Sequence, residues 1–500
     1  MNLSITGSRK NIQATKNNTI HAVVTFKTPK STAARPPLNV VVSLDLSGSM
    51  NDPTSIPKSE SRSRPSRSLG QPMPWERGHY MTKLDVAKDA IGKLIDQMQP
   101  DDTLTLIGFS DLSQTCFSLR MDNDGRLSAK QTLEALQPQQ MTNLSAGLIH
   151  ALSRAKAVAE GYRLSGIGLH RLVSKVLLFT DGETNRGILG TSAILEAAER
   201  KRGTMNIGVS TFGVGTTYNG ELLGSISAFG RGAHYYLDTA ERIPTAFGTE
   251  FGTLVGTYAR NVRLLASAPD GIEFELINPL KSTNKDGLVE VECDDLLSEQ
   301  TYNVVFSVKI PKRSKVAKAP VSIMSVLGYM TEVSSGQSVT LNGEDLELNL
   351  TTAKGADKED DIDVMRIVST AIAARDHRDA LELAKKGDVA GARRTLISSV
   401  GLHRGYGNDA MAVVTQTVAD SAYASNAAYT TVGAKLGSTV SWTLNTQSAG
   451  TGGANVGGVD VDALYATPDQ SKMAAMFSIT KSATPSDDDM PAVADMVTTR

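Results

Sequence analysis

Three oxygen-bearing side chains stand at alternate positions in Asp45-Leu46-Ser47-Gly48-Ser49, directly after the apolar run of residues 40–44. If the chain turns at Gly48, the carboxylate and the two hydroxyls converge on one point. They are hard oxygen donors of the kind Mg²⁺ takes at about 2.0–2.1 Å. Three ligands leave an octahedron incomplete. Two further candidates sit beside other elements: Thr142, just before a helical pattern starting at Leu144, and Asp181, directly after the apolar run ending in Phe179-Thr180. Together Asp45, Ser47, Ser49, Thr142 and Asp181 leave room for water and one outside oxygen. Mg²⁺ is the expected ion, with Mn²⁺ or Ca²⁺ as alternatives for the same donors. Taken alone, D-x-S-x-S also reads as a turn with a helix cap, so the constellation depends on a fold that gathers three separate stretches.

The elements that must do this can be read from periodicity. Residues 40–44 form a short continuous apolar run, as expected of a strand buried on both faces in a parallel sheet. Helical patterns at 83–98, 144–159, 194–201 and 221–229 then alternate with strand patterns at 103–109, 173–180 and 207–214. The expected fold class is α/β: a doubly wound, mostly parallel, Rossmann-like sheet over 38–256, with ligand-bearing loops at the carboxyl ends of its strands. Residues 114–120 follow the preceding strand too closely for a crossover and read as an antiparallel edge strand. After Tyr258, short strand patterns separated by turns predict an adjoining all-β sandwich over 257–353. The N-terminal stretch 1–37 alternates at Ile20, Ala22, Val24 and Phe26 but is too short to fold alone. It is expected to join that sandwich, leaving the α/β domain inserted between sandwich strands. Helical patterns at 360–387, 389–400 and 408–436 predict a C-terminal helical bundle over 360–440. The tail 447–500, dominated by Gly, Ser, Asp and Pro, reads as disordered. The insertion 51–80, dense in Ser, Pro and Arg, reads as a flexible loop beside the metal loop, and Arg62, Arg64 and Arg67 within it could steer an acidic partner.

DLSGSM from Asp45, MTNLSAGL from Met141 and LLFTDGETN from Leu177 together resemble the three pieces of the metal-ion-dependent adhesion site of von Willebrand factor type A domains. Further similarity lies in PDDTLTLIGFSD from Pro100 and FGVGTTYNGELL from Phe212, so the resemblance covers about residues 38–253. The segments that follow are similar to intracellular and bacterial members of that superfamily more than to integrins. The resemblance implies that Ser47, Ser49 and Thr142 coordinate the ion directly while Asp45 and Asp181 act mostly through bound water. The function it implies is non-enzymatic: metal-dependent capture of a protein partner that presents Asp or Glu. Two other classes stay open, an adaptor beside an AAA+ ATPase or a ubiquitin-type ligase, and a self-assembling homo-oligomer in which Asp487–Asp489 or another copy's carboxylate docks on the metal.

Composition narrows the remaining classes. The formal charge of −2, with 21% of residues charged and both signs mixed, provides neither a nucleic-acid footprint nor a polybasic membrane face. Cys116 and Cys293, the only two cysteines, stand too far apart for a C-x-x-C site, a RING domain or a disulfide framework. Residues 1–10 have no apolar signal core, and no stretch of about 18 apolar residues occurs, so no membrane span and a cytoplasmic location are expected. The seven histidines are scattered, with His79 alone near the metal loop, and no P-loop or catalytic triad spacing is present. Asp45 is a poor match for a phosphatase nucleophile, since Ser47 stands where a second aspartate is needed.

Overall fold

In a computed structural model of the chain, the described residues are 1–31, 35–57, 80–165, 172–313 and 319–428, apart from 183, 204, 216, 354 and 356–358, together with 435–436, 439–440, 443–444, 447, 455–456, 459–461 and 466–478. Three strands open the chain: β1 (Asn2–Gly7), β2 (Asn11–Gln13) and β3 (Asn18–Lys27). The α/β segment then begins with β4 (Leu38–Asp45), buried along its whole length. A 3₁₀ turn (Gly48–Asn51) follows, then β5 (Pro53–Pro57) paired with β6 (Tyr80–Thr82), and helix α1 (Lys83–Gln97). The rest of the segment is β7 (Thr103–Phe109), β8 (Ser113–Arg120), α2 (Asn123–Glu134), α3 (Leu144–Leu164), β9 (Val173–Thr180), α4 (Thr191–Arg202), β10 (Ile207–Val214), α5 (Gly220–Phe229), β11 (His234–Leu237) and α6 (Ile243–Gly256).

These strands form one sheet in the order β11-β10-β9-β4-β7-β8, parallel except for the edge strand β8. Side chains of β4 alternate between two cores: Val40, Val42 and Leu44 pack with α1, α2 and α6, and Val41 with α3, α4 and α5. Burial on both faces is why the strand carries an unbroken apolar run. From β4 the chain proceeds to β7 on one side and later returns to β9 on the other. Strand order therefore reverses between β4 and β9, and the crevice at their carboxyl ends is where open α/β sheets bind ligands.

The second half supplies β12 (Thr257–Ser267), β13 (Glu273–Leu276), β14 (Lys281–Lys285), β15 (Leu288–Glu292), β16 (Leu296–Leu297), β17 (Thr301–Ile310), β18 (Val321–Glu332) and β19 (Ser338–Thr351). Two sheets result, β1-β3-β17-β13 and β14-β15-β12-β18-β19-β2, with β16 on β12. β3 pairs antiparallel with β17 from Thr301↔Lys27 to Ile310↔Asn18, which makes an N-terminal strand an interior member of a sheet completed some 270 residues later. Its inward residues Ile20, Ala22, Val24 and Phe26 are fully buried against the other sheet.

Three helices follow: α7 (Ile362–Lys385), α8 (Val389–Gly405) and α9 (Asp409–Ser421). Val364, Met365, Val368 and Ala371 of α7 pack on Val23 and Val305, tying this bundle to the outer face of the first sheet. The helical pattern read over 408–436 is interrupted: α9 ends at Ser421, a short helix resumes at Asn426–Ala428 with Ser425 Oγ accepting from Ala428 N at 3.1 Å, and residues 435–436 are again helical. Within the tail expected to be disordered, residues 468–477 form helix α10 (Pro468–Phe477). A capping box explains its start: Thr467 Oγ1 accepts from Gln470 N, Gln470 Oε1 accepts from Thr467 N, and Pro468 occupies the first helical position. The helix lies on α6, where a methyl group on Gly248 or Gly252 would sit 2.5 Å from backbone atoms of Met473 or Gln470. Phe477 is thereby carried into the core of the α/β segment.

Candidate metal centre

The turn after β4 begins with Asp45, whose carboxylate is fully buried. Asp45 Oδ1 accepts from Ser47 N at 2.8 Å, folding the chain back on itself, and Oδ2 accepts from Thr180 Oγ1 at 2.5 Å. Met50 N donates to Ser47 O at 3.1 Å and Asp52 N to Ser49 O at 3.0 Å, closing the 3₁₀ turn. This turn brings Ser47 Oγ within 3.2 Å of Ser49 Oγ. Ser49 Oγ in turn donates to Asp181 Oδ1 at 2.7 Å, joining the loop after β4 to the loop after β9. Thr217 Oγ1 holds the Asp181 carbonyl at 2.6 Å.

Thr142 approaches from the loop before α3, which is stitched to the loop after β9. Asn185 N donates to Thr142 O at 3.0 Å, Thr142 N to Asn185 Oδ1 at 3.1 Å, and Leu144 N to Thr184 Oγ1 at 3.2 Å. A methyl group on Gly182 would lie 3.6 Å from Thr142 Oγ1 and 3.8 Å from Ser49 Oγ, so both hydroxyls border the same small space. All five residues singled out in the sequence thus sit at one rim of the sheet. Arg62, Arg64, Arg67 and His79 lie outside the described residues, as do Asp487–Asp489.

The donor set fits a hard divalent cation. Two carboxylates and three hydroxyls offer oxygen alone, the donor type that a hard cation takes; among the described residues no group of three or more His, Cys, Asp or Glu is placed to hold a metal ion. Burial pushes the Asp45 carboxyl up to about 7; the Asp181 charge adds to this, and the hydrogen bonds from Thr180 and Ser47 oppose it. Its hydrogen bonds come from Thr180 and Ser47, and neither residue brings a positive charge. A buried carboxylate so placed is stabilised most by a cation in the adjoining space.

Two participants were not singled out from the sequence. Thr180 closes β9 and reads there as one more strand residue; only the pairing of β4 beside β9 shows that its hydroxyl serves Asp45. Lys83 is the first residue of α1, and its Nζ lies 2.7 Å from Asp181 Oδ2 and 3.1 Å from Asp52 Oδ2. Burial pulls the Lys83 amine down, but the two carboxylates outweigh it and the net shift is upward.

Comparison with known proteins agrees with this architecture. Residues 80–248 match the model of the von Willebrand factor type A domain, a stretch that begins after the loop carrying Asp45, Ser47 and Ser49. An uncharacterized protein of Synechocystis sp. is 23% identical over 382 residues, covering 72% of this chain and 77% of that protein. A solved von Willebrand factor type A structure from Catenulispora acidiphila superposes with a TM-score of 0.58 at 16% identity, over 83% of this chain and 89% of that one. Sheet order, helix placement and the matched stretch converge: the α/β segment has the von Willebrand factor type A fold, and residues 80–248 within it match the model of that domain.

Proposed function

We propose that this domain is a metal-dependent protein-binding module and not an enzyme. In this reading Ser47, Ser49 and Thr142 would hold the ion, Mg²⁺ by preference with Mn²⁺ or Ca²⁺ as alternatives, and Asp45 and Asp181 would act mostly through bound water. The bound ion supplies a coordination position that an Asp or Glu of a partner completes. This chain's residues do the rest: Thr180 and Ser47 orient Asp45, Ser49 links the two acidic loops, and the Asn185 bonds hold Thr142 in place. The sandwich and the bundle act as scaffold. A metal-ion-dependent adhesion site of the intracellular and bacterial kind, working in the cytoplasm, belongs to the same proposal.

The observation that carries it is the meeting of Ser47, Ser49 and Asp181 oxygens within hydrogen-bonding distance beside the buried Asp45. Calorimetric titration of the metal-stripped full chain with Mg²⁺ and Mn²⁺ tests it. Wild type should show saturable uptake, and Asp45→Ala should show none while keeping its circular dichroism. Capture of an immobilised acidic partner should then disappear in EDTA and return with Mg²⁺. Absence of uptake by the folded wild type overturns the reading.

A further inference from the structure

Lys83 is poorly placed for its own helix. It is the first residue of α1, at the end where the aligned peptide dipoles are positive and acidic side chains are favoured. The helix start itself is secured without it: Thr82 Oγ1 accepts from Asp85 N at 3.1 Å, and Asp85 Oδ2 accepts from Thr82 N at 2.9 Å. What the ammonium gains is external to the helix. It reaches back across the loop after β4, 2.7 Å from the fully buried carboxylate of Asp181 and 3.1 Å from the exposed Asp52, with its own side chain 20% exposed. Lys83 N also donates to Asp52 O at 3.1 Å, fixing the base of the side chain over that loop.

The ammonium therefore touches the oxygen of Asp181 that Ser49 does not use, since Ser49 Oγ is bonded to Oδ1 and Lys83 to Oδ2. We propose that Lys83 is a built-in cation of the site: it holds Asp181 when no divalent ion is bound, and by doing so it sets a weaker affinity for that ion. The inference rests on the metal-binding reading above and concerns how tightly the site is loaded. A positive charge salt-bridged to one of the two acids withdraws charge that the ion would otherwise feel and repels the ion directly. Asp52 gives the ammonium a second resting place, so Lys83 can relax toward it when Asp181 turns to a metal-bound water. Loading is then a trade between a tethered monovalent cation and a free divalent one, and the two are linked reciprocally.

The test is calorimetric titration of Mg²⁺ into the metal-stripped full chain as wild type, Lys83→Gln, Lys83→Arg and Asp52→Asn, with melting curves in EDTA and in saturating Mg²⁺. Lys83→Gln should bind Mg²⁺ about tenfold more tightly, and Lys83→Arg should stay within about twofold of wild type. In EDTA, Lys83→Gln should melt below wild type, and saturating Mg²⁺ should close the gap. Asp52→Asn leaves the ammonium to Asp181 alone and should weaken uptake; it also provides the answer if Lys83→Gln does not fold. Equal or weaker Mg²⁺ binding by Lys83→Gln, or unchanged or tighter binding by Asp52→Asn, overturns the proposal while leaving the metal site standing. Absence of Mg²⁺ uptake in every variant and in wild type overturns both.

Discussion

At the scale of single residues, the centre depends on side chains whose work is to keep a buried charge in place. Asp45 sits at the end of a strand with no solvent contact, and the Thr180 hydroxyl is the side-chain donor to its second oxygen. Replacing Thr180 by valine keeps the shape and removes that donor, leaving a buried carboxylate oxygen unsatisfied. Urea unfolding of Thr180→Val in EDTA should show a loss of about 1.5–3 kcal/mol. A loss below about 0.5 kcal/mol would mean that Asp45 does not depend on this bond.

At the scale of elements, the helical bundle hides two histidines that the metal centre does not use. His377 of α7 and His403 of α8 are both fully buried. His377 Nε2 lies 3.5 Å from Thr415 Oγ1 and His403 Nδ1 3.2 Å from Ser369 Oγ, while His377 Nδ1 and His403 Nε2 have no hydrogen-bond partner among the described residues. Burial holds His377 down at about 3, with the neighbouring His403 adding to the effect, and burial holds His403 at about 4. Both rings stay neutral in the fold at pH values where the unfolded chain protonates them. As pH falls below about 6.5 the unfolded state binds protons that the folded state refuses, so stability drops until the folded values are reached. Each histidine contributes a slope of up to about 1.4 kcal/mol per pH unit. Urea midpoints followed by helical circular dichroism at pH 7, 6 and 5 should fall accordingly, and His403→Leu should flatten the decline. An identical pH profile for wild type and variant would show that the buried ring is not its source.

At the scale of the whole molecule, the chain is laced together by segments distant in sequence. β3 lies between β1 and β17, and Ile20, Ala22, Val24 and Phe26 contribute four fully buried side chains to the sandwich core. At about 1.5–3 kcal/mol for each large apolar side chain buried, their removal would consume most of a typical domain stability of about 5–15 kcal/mol. Deleting residues 1–30 should therefore leave β17 as an open apolar edge and make the chain aggregate. Limited proteolysis should then degrade the region after Thr257 first while the α/β segment resists. A soluble deletion variant with an unchanged cleavage pattern would contradict this account. At the other end of the chain, α10 covers α6, and through Phe477 it completes a core that belongs to the first half.

Local pattern was enough to read the alternating helices and strands of the α/β segment, because a strand buried on both faces and a helix with one apolar stripe have different periods. It also singled out Asp45, Ser47, Ser49, Thr142 and Asp181 as a set. The capping box at Thr467 and Gln470 was equally legible, yet a tail dominated by small and polar residues masked it. The long strand β19 escaped because it lies at the surface, with most of its first half exposed, so no clean alternation marks it. Other features have no local signature at all. Thr180 serves Asp45 only because β9 lies beside β4, and Lys83 faces Asp181 only because α1 starts over the loop after β4. Sequence alone determined which residue types could hold a hard cation and which periods would bury them. Tertiary structure decided which charges meet, because a contact across about 100 residues is set by sheet order and helix placement and leaves no trace in the spacing of either partner.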